Sequence, residues 1–277
     1  MIRITCVVNN TVIPDKGLKG EHGLALWIDT PHGYVLYDTG QSRSVLTHNL
    51  KKLGLDAADI DKIVLSHAHY DHTGGLEAVL SKNDRVTLYA HADIFTPRYA
   101  FRRGTYESIG IKADRDSLAG RVELNLSSLP VEIIPGLWTS GEIFERGEVE
   151  GRSNHHFIHV DDEWQPDPYR DDLSLILKVT KGLVLICGCC HAGLLNTILQ
   201  VRRNFDEPII AIIGGTHLGS MDGDTMAHII DVLKGLFEEQ PDYYLNHCSG
   251  ENAVKVFREA FSGRVENFAV GAELTFD

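Results

Sequence analysis

Residues Ile63–Leu76 read IVLSHAHYDHTGGL. Three histidines and an aspartate, His67, His69, Asp71 and His72, follow an apolar run and precede two glycines. In an extended segment every second side chain projects to the same side, so His67 and His69 can reach one ion together. Asp71 and His72 come where the chain turns toward a helix, and they point to a neighbouring place. One short segment thereby offers two ligands to each of two cations. Gly74 and Gly75 are expected to let the backbone turn without side chains crowding the ions. Imidazoles with a carboxylate suit two divalent metal ions, zinc first, with manganese and iron as alternatives. A single histidine at a strand end is ordinarily structural, but four donors at this spacing are not.

The rest of the chain sets limits on what such a centre serves. With 277 residues and a 43% apolar fraction, a sizeable core is within reach. The formal charge of −13 opposes non-specific phosphate binding, so no nucleic-acid partner is expected. The two short basic stretches, TPRYAFRRG and QVRRNF, read as solvated faces. No window is long and apolar enough to cross a membrane, and the N-terminal residues do not have the pattern of a signal peptide. Three of the five cysteines crowd into Cys187, Cys189 and Cys190, a spacing unlike a disulfide framework. A reducing, cytoplasmic compartment is the expectation.

Apolar runs that read as buried strands are GLALWID, GYVLYDTG, KIVLSH, RVTLYAH, LSLILKVT, GLVLICG, PIIAIIGG and YYLNH. The first two should form a hairpin. Amphipathic helical patterns lie between the later ones, in SVLTHNLKKLG, LEAVLSK, AGLLNTILQVRRNF, TMAHIIDVLKGLFEEQ and ENAVKVFREAF. The mixture predicts an α/β fold of sheets covered by helices, a single domain over 1–277. From about 92 to 172 the pattern becomes irregular and proline-rich, which predicts an insertion or lid. Its His155, His156 and His159 are weak ligand candidates, and Trp164 suits a substrate wall.

A catalytic metal keeps three protein ligands and an open position, so two ligands are missing from the cluster. His191, just past GLVLICG, and His247, ending YYLNH, are the best candidates. The expected sets are His67, His69 and His191 on one ion, and Asp71, His72 and His247 on the other. His217 ends a third strand, in GGTHL, and joins Asp71 as a candidate catalytic residue. It would protonate a leaving oxygen or hold a phosphate. Asp38 is expected behind the ligand loop, orienting an imidazole.

SHAHYDH resembles the His-x-His-x-Asp-His signature of the metallo-β-lactamase superfamily, and YDTG, Asp38 in its middle, resembles the superfamily's early aspartate motif. EHGLALWID, GLVLICGCCHAGLLNTI, IIGGTHL and NHCSG resemble one branch, the dihydropterin–ribofuranosylaminobenzene phosphate synthase-like proteins of the methanopterin pathway. The resemblance implies a four-layer αβ/βα sandwich with the metals at the edge between two sheets. It also implies that His247 holds the last histidine position. Most two-metal members carry a bridging Asp where this chain has Cys189. A ligand thiolate and a small buried residue both remain open there. Should Cys189 not ligate, water alone bridges, or Asp171 or Asp172 reaches in.

Two such cations supply Lewis acidity and an activated water. The leading expectation is a metal-dependent hydrolase acting on a small-molecule substrate, a phosphorylated compound or another ester. Arg98, Arg102, Arg103 and Arg152 are candidate cationic contacts. The resemblance implies an alternative, a synthase or transferase of pterin biosynthesis that forms a C–C bond with loss of pyrophosphate. A non-catalytic metal sensor is a third reading. A di-iron reductase is disfavoured, because such relatives usually carry Glu where this chain has His69 and append a flavin domain.

Overall fold

The apolar runs pair into two seven-stranded sheets in the computed structural model, which describes residues 1–83 and 85–277. The first sheet runs in the order Glu273–Phe276, Ile2–Val8, Ala25–Thr30, Gly33–Tyr37, Lys62–Val64, Thr87–Ala90, Glu123–Leu126. The second runs Val265–Asn267, Asp242–Leu245, Ile209–Gly214, Gly182–Cys187, Ser174–Val179, Leu137–Thr139, Glu132–Ile134. Each sheet is parallel in one half and antiparallel in the other. The expected hairpin is the antiparallel pair Ala25–Thr30 and Gly33–Tyr37.

Alternation along the strands sorts the side chains into three buried layers. Leu26, Ile28, Val35, Tyr37 and Val64 face the second sheet, where they meet Leu175, Leu177, Val184, Ile186 and Ile213. Their chain neighbours Ala25, Trp27, Leu36 and Ile63 face outward and pack with Leu46 and Leu50 of the helix Arg43–Lys52. Leu183, Leu185 and Ile212 do the same against the helices Leu194–Asn204, Gly223–Leu236 and Gly250–Ala260. Helix, sheet, sheet, helix is the four-layer αβ/βα sandwich. Each fully buried Leu or Ile in these layers stabilises it by about 1.5–3 kcal/mol.

The helix ends are set locally. Ser42 Oγ caps the first helix by accepting from Val45 N at 3.2 Å, and Asp222 caps Gly223–Leu236 by accepting from Thr225 N at 2.8 Å. Arg202 and Arg203, the basic part of QVRRNF, occupy the last turn of Leu194–Asn204, where positive charge complements the helix dipole. Among the described residues no helix is long and apolar enough to cross a membrane.

The segment 92–172 has more regular structure than its sequence suggests. Glu123–Leu126 extends the first sheet, and Glu132–Ile134 and Leu137–Thr139 extend the second. The remaining strands form a third, four-stranded sheet in the order Glu163–Pro166, His156–Val160, Tyr99–Arg102, Thr105–Ser108. Its polar hairpin turns at Asp161 and Asp162, whose φ values of 51° and 63° suit a two-residue turn. Residues paired across strands share a face. His156 pairs with Ala100, so His156 and Arg102 lie on one face. Tyr99, Tyr106, Phe157 and Trp164 cluster on the other, with Tyr106 stacked on Trp164 at 3.5 Å between ring centroids.

Candidate metal centre

The candidate residues sit where parallel strands end. Asp38 follows Gly33–Tyr37, and the His67–His72 segment follows Lys62–Val64. Cys189 and His191 follow Gly182–Cys187, His217 follows Ile209–Gly214, and His247 follows Asp242–Leu245. Ligand sites of α/β sheets favour these carboxyl ends. The turns there are tight: Asp38, Cys190, His217 and His247 have φ between 46° and 60°. Such values cost non-glycine residues energy and gather at functional sites.

Gly74 and Gly75 serve a different purpose from the one expected. Their φ values of −70° and −87° suit any residue. What they provide is close backbone approach: a Cβ would lie 2.1 Å from Gln41 O at Gly74 and 2.0 Å from Thr39 O at Gly75. The turn after Asp38 is thereby pressed against the ligand segment.

Four of the five candidate ligand imidazoles are oriented through Nδ1, His69 being the exception. His72 Nδ1 donates to Asp38 Oδ2 at 2.6 Å, as expected of Asp38. His191 Nδ1 donates to the carbonyl of Gly151 at 3.0 Å. His247 Nδ1 lies 3.0 Å from Asn10 Oδ1, and His67 Nδ1 lies 2.9 Å from Ser66 Oγ, which itself donates to Asp38 Oδ2. The Nε2 atoms are turned instead among the other candidate donors. His72 Nε2 and His247 Nε2 face each other at 3.1 Å, and His191 Nε2 is buried without a partner. Two ring nitrogens this close need a cation between them: in the metal-free protein the proton of His72 fills that place, and a metal ion can replace it. Separations near 3 Å also match the roughly 3.4 Å ligand–ligand edge expected for tetrahedral zinc–nitrogen bonds. The residues present therefore fit divalent metal.

His67 Nε2 and His69 Nδ1 converge at 3.0 Å. The donor atoms of His67, Cys189 and His191 lie within 4.8 Å of one another, and so do those of His72, Cys189 and His247. Cys189 Sγ, 3.2 Å from His72 Nε2, thus belongs to both groups. Asp71 Oδ2 is 3.3 Å from His247 Nε2 and 3.6 Å from His72 Nε2. Burial pushes His67, His69 and His191 well below the usual imidazole range and His247 down to about 4. Neutral imidazole is the form that binds metal.

Two expectations are corrected. Asp171 and Asp172 do not reach into the centre; each holds a backbone amide of a ligand segment. Asp171 Oδ2 accepts from Ala68 N, between His67 and His69, at 2.8 Å. Asp172 Oδ2 accepts from Ala192 N, next to His191, at 2.8 Å. Arg98 is no substrate contact and TPRYAFRRG is no simple solvated face, because Arg98 is buried among Asp93, Asp167 and Asp171, each at 3.0 Å.

One guanidinium among three carboxylates leaves Asp167 poorly compensated. Burial, opposed by Arg98, pushes its pKa up to about 6. An acid with a raised folded pKa adds stability below its unfolded pKa near 4, and that stability is lost as pH rises through 6. Asp167→Asn removes the group. The variant should gain about 2 kcal/mol on the wild type between pH 4 and pH 7, read by urea unfolding across that range.

A cavity of about 80 Å³ opens onto the donors, and its wall adds His22, Arg102, Ile109, His156, His217 and Cys248. His217 lies at the centre, 4.4 Å from His191 between ring centroids. Of the other candidate cations, Arg152 is paired with Glu150. His159 stacks against Trp164, away from His156 on the opposite face of the small sheet. His22 was not foreseen as a site residue. It is a lone histidine before a strand, and only its position inside the branch-like block EHGLALWID marked it.

Comparison with known proteins gives a family match to the metallo-β-lactamase superfamily over residues 18–161. The chain is 28% identical to the 7,8-dihydropterin-6-methyl-4-(β-D-ribofuranosyl)-aminobenzene-5'-phosphate synthase of Methanocaldococcus jannaschii, over 92% of this chain and 90% of that protein. An uncharacterized protein of the same archaeon is 30% identical, with 92% of each chain covered. Among solved structures, a metal-dependent hydrolase of the β-lactamase superfamily superposes over the whole of both chains with a TM-score of 0.84 at 27% identity.

Proposed function

The chain belongs to the metallo-β-lactamase superfamily, and we propose that it is a metal-dependent hydrolase of a small anionic ester, a phosphorylated compound by preference. The observation that carries this reading is the convergence of ring nitrogens, above all His72 Nε2 facing His247 Nε2 at 3.1 Å, beside a cavity lined by His69, Asp71, Cys189, His191 and His247. His67, His69 and His191 would hold one cation, and Asp71, His72 and His247 the other, with Cys189 between them. A nitrogen- and sulfur-rich set suits zinc better than manganese or iron. Two such cations supply Lewis acidity and lower the pKa of water toward neutrality.

The remaining residues would bind and orient. Arg102 brings positive charge to the mouth of the cavity of a strongly acidic protein. Burial pushes His217 below the ordinary imidazole range and His156 down to about 4, so both are neutral near pH 7. A neutral His156 accepts a hydrogen bond from the Tyr169 hydroxyl at Nδ1, 2.7 Å away, and carries its own proton on Nε2. Neutral His217 likewise offers one ring N–H. Both are better suited to holding a substrate oxygen than to protonating a leaving group. The five free cysteines fit a reducing compartment.

The test is turnover against phosphodiesters, phosphomonoesters, lactones and thioesters with protein stripped by chelation and then reloaded. Activity should vanish on stripping and return with zinc. Absence of metal-dependent turnover on every class sinks the hydrolase reading and leaves the synthase and the sensor. A second reading, a pterin-pathway synthase, is favoured by the similarity to a synthase along nearly the whole of both chains. Pyrophosphate release in the presence of a dihydropterin would select it.

A further inference from the structure

His22 stands beside the second ligand group. Its Nε2 is 3.1 Å from Asp71 Oδ2, and its ring centroid is 5.0 Å from that of His247. The donor atoms of His22, Asp71 and His247 all lie within 4.8 Å of one another. The three arrive from separate segments, and the backbone beside His22 is tied to the other two. Leu24 N donates to Asp71 O at 3.2 Å, and a Cβ on Gly23 would lie 2.4 Å from that same oxygen. Gly23 N reaches Asn10 Oδ1 at 3.4 Å, the atom that also takes His247 Nδ1. His22 is therefore placed by the same contacts that place its neighbours, although its side chain is 56% exposed.

His247 belongs to two donor groups at once. With Nδ1 committed to Asn10, only Nε2 is free, and one imidazole nitrogen serves one cation at a time. On the inner side that atom meets His72 and Cys189. On the outer side it meets Asp71 and His22. We infer that His22 is a metal ligand, forming with Asp71 and His247 an outer station for the second cation, in alternation with the inner station of His72, Cys189 and His247. Two imidazoles and a carboxylate with an open side are a donor set that zinc accepts. The second cation would enter and leave through this station, and His22 would set how tightly it is held.

The inference rests on the metal-binding part of the proposed function and is independent of the reaction. It is tested by titrating metal-free protein with cobalt(II), following paramagnetically shifted histidine ring resonances by NMR and metal content by elemental analysis. Wild type should bind two equivalents, the second bringing a shifted His22 resonance. Both His22→Gln and His22→Ala should lose that resonance and weaken the second equivalent about 10-fold, with the first unchanged. If His22→Gln binds the second equivalent with wild-type affinity, the side chain only donates a hydrogen bond to Asp71, and the inference falls. Two bound ions without a shifted His22 resonance overturn it equally. Fewer than two ions in the wild type would bring down the two-cation reading as well, a distinct outcome.

Discussion

Replacing Cys189 with alanine is expected to weaken both cation positions together, by about 100-fold each, whereas His191→Ala should weaken one and His247→Ala the other. The asymmetry follows from geometry. Cys189 Sγ is common to the two donor groups, while His191 and His247 are each confined to one side of it. In the metal-free protein, burial and the neighbouring Cys248 thiol push the Cys189 pKa up, so the sulfur is a neutral thiol until cations arrive. Metal uptake should then release a proton from Cys189, and affinity should rise with pH in the wild type more steeply than in the variant. Cys189→Asp should restore both positions, since the resemblance implies an aspartate bridge there. Metal content after dialysis against a graded chelator reads all four variants. Two ions retained at wild-type strength in Cys189→Ala would make Cys189 a small buried residue and nothing more.

That test is needed because sequence cannot separate the two readings of a buried cysteine, although it located the position. Signals confined to a few consecutive residues were legible. The spacing of His67, His69, Asp71 and His72 is one, and the alternating strands that bring His191, His217 and His247 to one rim are another. Signals that depend on the partner were not. Asp171 and Asp172 read as two acids near a metal site. Their roles are set by the amides of Ala68 and Ala192, and Ala68 lies 103 residues from its partner. His22 lacks any periodic context, and its place beside Asp71 exists only in the fold. The small sheet over the cavity was missed for a related reason. Its strands are short and mixed in polarity, and their stability comes from cross-strand pairs such as Tyr106 with Trp164, which an apolar count along one strand does not register.

Asp38→Ala should be the most destabilising single change at the centre, by about 4 kcal/mol near pH 6. The carboxylate is fully buried and accepts three hydrogen bonds: from Ser66 N at 2.7 Å, Ser66 Oγ at 2.7 Å and His72 Nδ1 at 2.6 Å. Alanine strands all three donors and removes the charge that faces His72. Burial alone would push His72 down, but Asp38 and Asp71 outweigh it and lift the pKa to about 9 in the metal-free protein. A histidine with a raised folded pKa adds stability that is complete below about 6.5 and lost as pH climbs through 9. The lift corresponds to about 3 kcal/mol, so wild type should lose that much between pH 6 and pH 9.5 through this pair. Asp38→Ala should begin lower and lack that loss. Asp38→Asn, which keeps one acceptor for Ser66, should fall between the two. Urea unfolding of the three metal-free proteins at the two pH values measures this. The same substitution frees the His72 ring to rotate, so the second cation should bind 10- to 100-fold more weakly while the first, which His67, His69 and His191 would hold, keeps most of its affinity. If Asp38→Ala unfolds like wild type at pH 6 and both ions bind unchanged, His72 is held by packing alone and Asp38 has no part in the centre.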